Sequence, residues 1–219
     1  ARENLTDHLS INERKGKVRQ RLWKIRAKKV IIASGSIERP LIFSNNDRPG
    51  IILSSSIKKY IDYYGVKTGE NISLFTNNDS AYETALSLHK SGTKLNAIID
   101  IRDNSSSEIV NKVKSLGIQI YWNHTIVKTK GYKRINKVTV MKLNDKGNDV
   151  IGKKIELNCD CLAISGGWTP MVHLFTQSGG KLKFDNKDNI FVPDKTNLNQ
   201  LSIGSAKGDF ELDDVFLIL

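Results

Sequence analysis

Cysteine is nearly missing from this chain: 219 residues carry two, Cys159 and Cys161. On one strand, positions i and i+2 lie on the same face. Neighbouring side chains of one strand do not readily close a disulfide, and no second Cys/His pair completes a zinc set. The expectation is two buried core thiols in a reducing, cytoplasmic compartment. There is no Cys-x-x-Cys pair, which excludes the dithiol chemistry of a disulfide reductase. The four histidines, His8, His89, His124 and His173, are scattered, and none adjoins a Ser or Cys in a nucleophile motif. No catalytic dyad or triad is recognisable, so no residue is assigned a catalytic role and no metal is expected. No apolar run approaches the roughly 20 residues of a membrane span. Internal repeats, low-complexity tracts and Pro/Gly-rich linkers are also absent.

Acidic residues are outnumbered, 23 Asp and Glu against 34 Lys and Arg, for a net charge of +11. The lysines are spread along the chain, and only residues 14–29 are densely basic. That stretch alternates with Val18, Leu22, Trp23, Ile25 and Ala27, as a strand with one wet face does. It offers no aromatic platform for bases, so no nucleic-acid partner is expected.

Residues 1–29 read as strand, turn at Lys15-Gly16-Lys17, and strand, followed by a strand over 29–33. Asn46-Asp47-Arg48-Pro49-Gly50 is a turn by composition. Residues 54–64 read as a helix with a Ser start and Gly65 at its stop. A strand over 71–76 precedes a capping box, Ser80-Ala81-Tyr82-Glu83, whose helix ends at Gly92. A strand over 94–101 and a second capping box, Ser105-Ser106-Ser107-Glu108, lead to a helix ending at Gly117. Residues 118–122 form a third strand, 125–143 a hairpin or meander, and 154–164 one return strand. Strands alternating with helices predict a parallel sheet with right-handed crossovers. The expected fold class is α/β, with two interleaved Rossmann-like domains of the FAD/NAD-binding type and antiparallel meander elements. Residues 1–65 begin the outer domain, 66–165 form an inserted domain, and 166–219 return to the outer one. Ala1 is no start methionine and the chain stops inside an apolar run, so it reads as an internal piece of a longer protein. The outer domain is then incomplete, and its first βαβ, with a GxGxxG, is expected upstream.

Three apolar strands end in Gly/Ser turns: Ala33-Ser34-Gly35-Ser36, Ser165-Gly166-Gly167 and Gly204-Ser205-Ala206. Glycine there permits left-handed φ or a close backbone approach. Each turn alone suits tight chain reversal. Together they predict a cofactor cleft, because ligands sit at the carboxyl ends of parallel strands. Arg39, beside Glu38, suits either a bidentate phosphate contact or a pair with Glu38 or Asp47. The candidate cofactor-binding residues are therefore Ala33, Ser34, Gly35, Ser36, Arg39, Gly166, Gly167, Gly204 and Ser205. The insert differs. Where a dinucleotide turn belongs it has Thr76-Asn77-Asn78-Asp79-Ser80-Ala81, with none of the three glycines. Asn77 or Asn78 can enter the left-handed region, but a side chain there blocks a phosphate, and Asp79 repels one. Asp100 stands about 20 residues on, where a ribose-binding acid belongs.

Longer runs carry a resemblance. Arg21-Leu22-Trp23-Lys24-Ile25-Arg26-Ala27-Lys28 leads into the first glycine turn. Glu38-Arg39-Pro40-Leu41 and Asn45-Asn46-Asp47-Arg48-Pro49-Gly50 follow, then Phe75-Thr76-Asn77-Asn78-Asp79-Ser80-Ala81-Tyr82. Ser165-Gly166-Gly167-Trp168, Val172-His173-Leu174-Phe175 and Gln177-Ser178-Gly179-Gly180-Lys181-Leu182 complete the set. Across nearly its whole length the chain resembles the alpha subunit of heterotetrameric sarcosine oxidase. The resemblance implies part of an enzyme that demethylates sarcosine oxidatively to glycine, a one-carbon unit and hydrogen peroxide. It implies NAD in this subunit, FAD in a beta subunit, a flavin mononucleotide (FMN) between alpha and beta, and tetrahydrofolate in a later domain. The implied partners are beta, gamma and delta subunits. Catalysis would belong to the complex, not to this piece. A related amine, opine or proline-type dehydrogenase subunit, or a scaffold with a degenerate nucleotide site, are the alternatives.

Overall fold

The computed structural model describes residues 1–211; residues 212–219, with the apolar run that ends the chain, lie outside it. Two compact units result. One combines Ala1–Gly35 with the described residues from Pro170 onward, and the other is Ser36–Thr169.

In the first unit, β1 (Arg2–Asn4) and β2 (Gln20–Leu22) form an antiparallel ribbon. A one-turn helix, α1 (Ile11–Arg14), lies in the stretch read as strand, turn and strand; the Ser10 hydroxyl donates to Glu13 at 2.6 Å at its start. The apolar strand β3 (Val30–Ile32) runs parallel to β16 (Gln200–Ser202), with Ile32 opposite Ser202. A hairpin, β14 (Leu182–Asp185) with β15 (Ile190–Pro193), and the short helix α5 (His173–Gln177) complete it, with Phe175 and Ile190 buried.

The second unit is three layers deep. Its centre is a parallel sheet in the order β5 (Ile51–Leu53), β12 (Cys161–Ser165), β6 (Ile72–Thr76), β7 (Leu95–Asp100), β8 (Ile120–Trp122). Every residue of β6 and β12 is buried, as befits central parallel strands covered on both faces. One face packs on α2 (Ser54–Asp62), α3 (Tyr82–Lys90) and α4 (Glu108–Ser115) through Ile72, Leu74, Ile98 and Ala163. The other, through Phe75, Ile99, Leu162 and Ile164, packs on an antiparallel meander of β9 (His124–Lys130), β10 (Lys137–Leu143) and β11 (Val150–Asn158). Strands β4 (Ser36–Glu38) and β13 (Trp168–Pro170) pair with each other.

Besides α1, four local readings change. The expected strand over 154–164 is two strands: β11 ends at Asn158 in the meander, and β12 starts at Cys161 in the parallel sheet. The two thiols therefore enter opposite cores, Cys161 under the helices and Cys159 under the meander. Neither capping box forms. The Ser80 hydroxyl donates to Asn78 Oδ1 at 2.7 Å, and the Ser105 hydroxyl to Asp79 at 3.0 Å; the helices start later, at Tyr82 and Glu108. Neither Asn77 nor Asn78 adopts positive φ. Finally, residues 36–65 pack with the second unit rather than the outer domain, because β5 joins its sheet beside β12 and α2 packs against α3.

Candidate functional site

The nine residues singled out from the sequence fall into two groups. Ala33, Ser34 and Gly35 follow β3, and Gly204 and Ser205 open the 3-10 turn after β16 (Gly204–Ala206). The parallel pairing of β3 and β16 puts both turns at one carboxyl edge, the position where open α/β sheets bind ligands. The Ile203 N–H donates to Ile32 O at 3.0 Å and closes the pair just before the turns. Gly35 and Gly204 have φ of +77° and +59°, a region L side chains rarely adopt. A Cβ built on Gly35 meets no atom within 4 Å. The Ser34 hydroxyl donates to Met171 O at 2.8 Å, and the Met171 N–H donates to Gly35 O at 2.9 Å. A cavity of about 640 Å³ runs along β3, lined among others by Val30, Ile31, Ala33, Ser34, Leu174 and Leu198.

Ser36, Arg39, Gly166 and Gly167 belong to the second unit. There the chain after β4 and the chain after β12 approach closely. The Arg39 N–H donates to Gly167 O at 2.8 Å and the Gly166 N–H donates to Arg39 O at 2.6 Å. A Cβ on Gly166 would stand 3.0 Å from Pro40 O, and one on Gly167, at φ +91°, 3.1 Å from Arg39 Nη2. This chain-to-chain approach accounts for both glycines without a ligand. Glu38 is engaged elsewhere: its buried Oε2 accepts from the Ser55 N–H at 2.9 Å and hydroxyl at 2.6 Å, at the start of α2.

The insert has a crevice of the dinucleotide type, at the carboxyl ends of β6 and β12 where the strand order reverses. Its own side chains bridge it. Asn78 Nδ2 donates to Ser165 Oγ at 3.0 Å and Ser165 O at 3.3 Å, tying the β6 turn to β12. The Trp168 indole N–H donates to Ser80 Oγ at 2.9 Å. Asp79 meets Arg102 Nη1 at 2.7 Å. Arg102 also donates through Nε and Nη2 to both oxygens of Asp100, at 3.0 and 2.8 Å. Asp100, fully buried, takes the Tyr82 hydroxyl at 2.8 Å as well. Burial works to raise the Asp79 carboxyl, but the Arg102 hydrogen bond and charge, with the Ser107 and Ser105 hydroxyls, hold it below its ordinary value. Burial, then the charge and hydrogen bond of Asp100, push the Tyr82 hydroxyl up. Asp100 is thus spent on Arg102 and Tyr82 rather than presented to a ribose. Arg102 was missed in the sequence; Asp-x-Arg at a strand end is the signal it left.

Among the described residues no three His, Cys, Asp or Glu side chains gather as a metal set, and no helix is long and apolar enough to cross a membrane.

No family model matches the chain. Among solved structures, T. acidophilum thioredoxin reductase matches at a TM-score of 0.65 and 19% identity, over 86% of this chain and 61% of that one. P. horikoshii L-proline dehydrogenase matches at 0.57 and 20%, over 82% and 30%. The fold is that of the FAD/NAD-binding oxidoreductases. Among curated proteins, sarcosine oxidase subunit alpha of Corynebacterium sp. (strain P-1) is 36% identical over 208 residues, covering 94% of this chain and 21% of that protein. Its counterpart in Rhizobium meliloti (strain 1021) is 34% identical over 162 residues, 74% of this chain and 15% of that protein. The chain belongs to the sarcosine oxidase alpha-subunit family, and it spans about a fifth of the length of the Corynebacterium relative.

Proposed function

We propose that this chain is the dinucleotide-binding region of a sarcosine oxidase alpha subunit, and that NAD lies on the first unit against Ala33, Ser34, Gly35, Gly204 and Ser205. The observation that carries the proposal is the pair of glycine turns side by side at the carboxyl edge of β3 and β16. The open space beside Gly35 fits a phosphate approaching backbone closely. Bound there, the nicotinamide group would supply hydride chemistry; the chain's own part is to grip and orient the dinucleotide with backbone N–H groups and the Ser205 hydroxyl, while the Ser34 hydroxyl, bonded to Met171 O, fixes the turn. Of the remaining candidates, Ser36, Arg39, Gly166 and Gly167 serve the chain crossing in the second unit. The second unit is a scaffold, its own crevice taken by Asp79, Arg102 and Asn78.

In the assembled enzyme the chain would serve the oxidative demethylation of sarcosine to glycine, a one-carbon unit and hydrogen peroxide, in the cytoplasm. FAD and FMN, tetrahydrofolate and the beta, gamma and delta subunits belong to that proposal. The fold shared with P. horikoshii L-proline dehydrogenase favours, as second reading, a subunit of a proline-type amine dehydrogenase. Denaturing the complete enzyme and identifying the released nucleotides by chromatography and mass spectrometry tests both. NAD together with FAD supports the first reading. Flavin without NAD overturns it in favour of the second, or of a degenerate scaffold.

A further inference from the structure

In the second unit's crevice, Arg102 is held on three sides. Two of its nitrogens form a fork on Asp100, which has no exposed side chain. The third, Nη1, points to Asp79, whose side chain is 35% exposed. Asp100 further receives the Arg102 backbone N–H at 3.0 Å, so strand β7 and its following turn are locked together. Asp79 lies three residues past the end of β6, on the turn that carries the pyrophosphate in dinucleotide-binding βαβ units. A guanidinium with one face on a buried carboxylate and its remaining N–H directed at that turn is the donor geometry that recognises phosphate. Here a carboxylate meets it instead, and the Ser105 hydroxyl donates to the same carboxylate at 3.0 and 3.2 Å.

We propose that Asp79 is a resident substitute for a phosphate group: it takes the Arg102 nitrogen that the Asp100 fork leaves over and sets the β6–α3 turn without any ligand. Asp79 is then a positioning residue. Its carboxylate holds the turn that presents Asn78 to Ser165 and Ser80 to Trp168, and so secures both places where the returning chain leaves the sheet. Removing the carboxylate while keeping Arg102 converts the crevice into a site for a soluble oxyanion.

The test is hydrogen exchange of the amides of residues 77–82 in the complete enzyme, with inorganic phosphate as the probe. In Asp79→Ala, exchange in this turn accelerates about tenfold or more, because its anchor is gone. Phosphate restores protection in Asp79→Ala and leaves the unsubstituted protein unchanged. The double variant Asp79→Ala/Arg102→Gln is not restored. Asp79→Asn keeps the shape of the side chain but not its charge, so it loses part of the turn's protection and regains it with phosphate, which guards against a variant that simply fails to fold. Phosphate that protects the unsubstituted turn as strongly as the variant's would overturn the proposal. So would phosphate without effect on both single variants. The readout is local to the second unit, so its result stands apart from whether NAD occupies the first.

Discussion

Replacing Glu38 by alanine removes the cap of a helix on another part of the chain. Helix α2 begins after Leu53, which has no side-chain cap to offer. The Glu38 carboxylate, 4% exposed, takes that place from β4 and accepts both the N–H and the hydroxyl of Ser55. Loss of an N-cap costs about 1 kcal/mol. A hydrogen bond to a charged group contributes about 1.5–3 kcal/mol, and a buried carboxylate at a helix N-terminus gains further from the dipole. These terms overlap, so the expected loss in Glu38→Ala is about 3 kcal/mol, against about 1 kcal/mol in Glu38→Gln, whose amide oxygen accepts the same two bonds without the charge. Hydrogen exchange of the α2 amides in the complete protein reads this directly. The alanine variant opens about 100-fold more often and the glutamine variant about fivefold, with α4 as internal reference. Alanine-variant exchange within about threefold of the parent would refute the capping role.

Gly35→Val and Gly204→Val each place a branched side chain at positive φ beside the proposed NAD, and nucleotide retained through purification should fall, whereas Asn78→Ala should leave it unchanged; equal NAD content in all three would remove the first-unit site. Cys159, pushed up to about 11 by burial, should resist alkylation at neutral pH in the native protein and react fully in denaturant. Asp79, held below its ordinary value of 3.8 by Arg102, contributes stability above that value that is lost as pH falls through its folded pKa. Asp79→Asn should therefore be less stable than the parent near neutrality and equal to it in strong acid, as followed by denaturant titrations at a series of pH values.

The central strands were legible because β6 and β12 are buried on both faces, and such strands read as apolar runs; Gly65, Gly92 and Gly117 mark the helix ends plainly. What stayed hidden depends on long-range partners. The alternation from Lys154 passes into the apolar run that begins at Cys161 with no glycine or proline between them, so no breaker marks the change of sheet. It is set by Asp160, whose carboxylate accepts the N–H groups of Glu70 and Asn71, each at 3.0 Å, some 90 positions away. Ser80 and Ser105 fit the capping pattern, yet each has a better partner supplied by the tertiary fold, Trp168 and Asp79. The unit boundary was misplaced for the same reason, since β5 is a three-residue strand that gains its place only by pairing with β12. For the candidate site, the turns at Gly35 and Gly204 were visible as glycines after apolar strands. Which glycines serve close packing, as Gly166 does against Pro40, emerges only from the folded neighbours.

The pairing of β4 with β13 has an architectural consequence. The first and last strands of the second unit lie side by side, so this unit enters and leaves the chain through one doorway. A module with adjoining ends can be lodged in a host at about the entropic cost of a short loop, whatever its own size. Evolution can therefore retune the second unit without rethreading the first, into which it is spliced between β3 and α5.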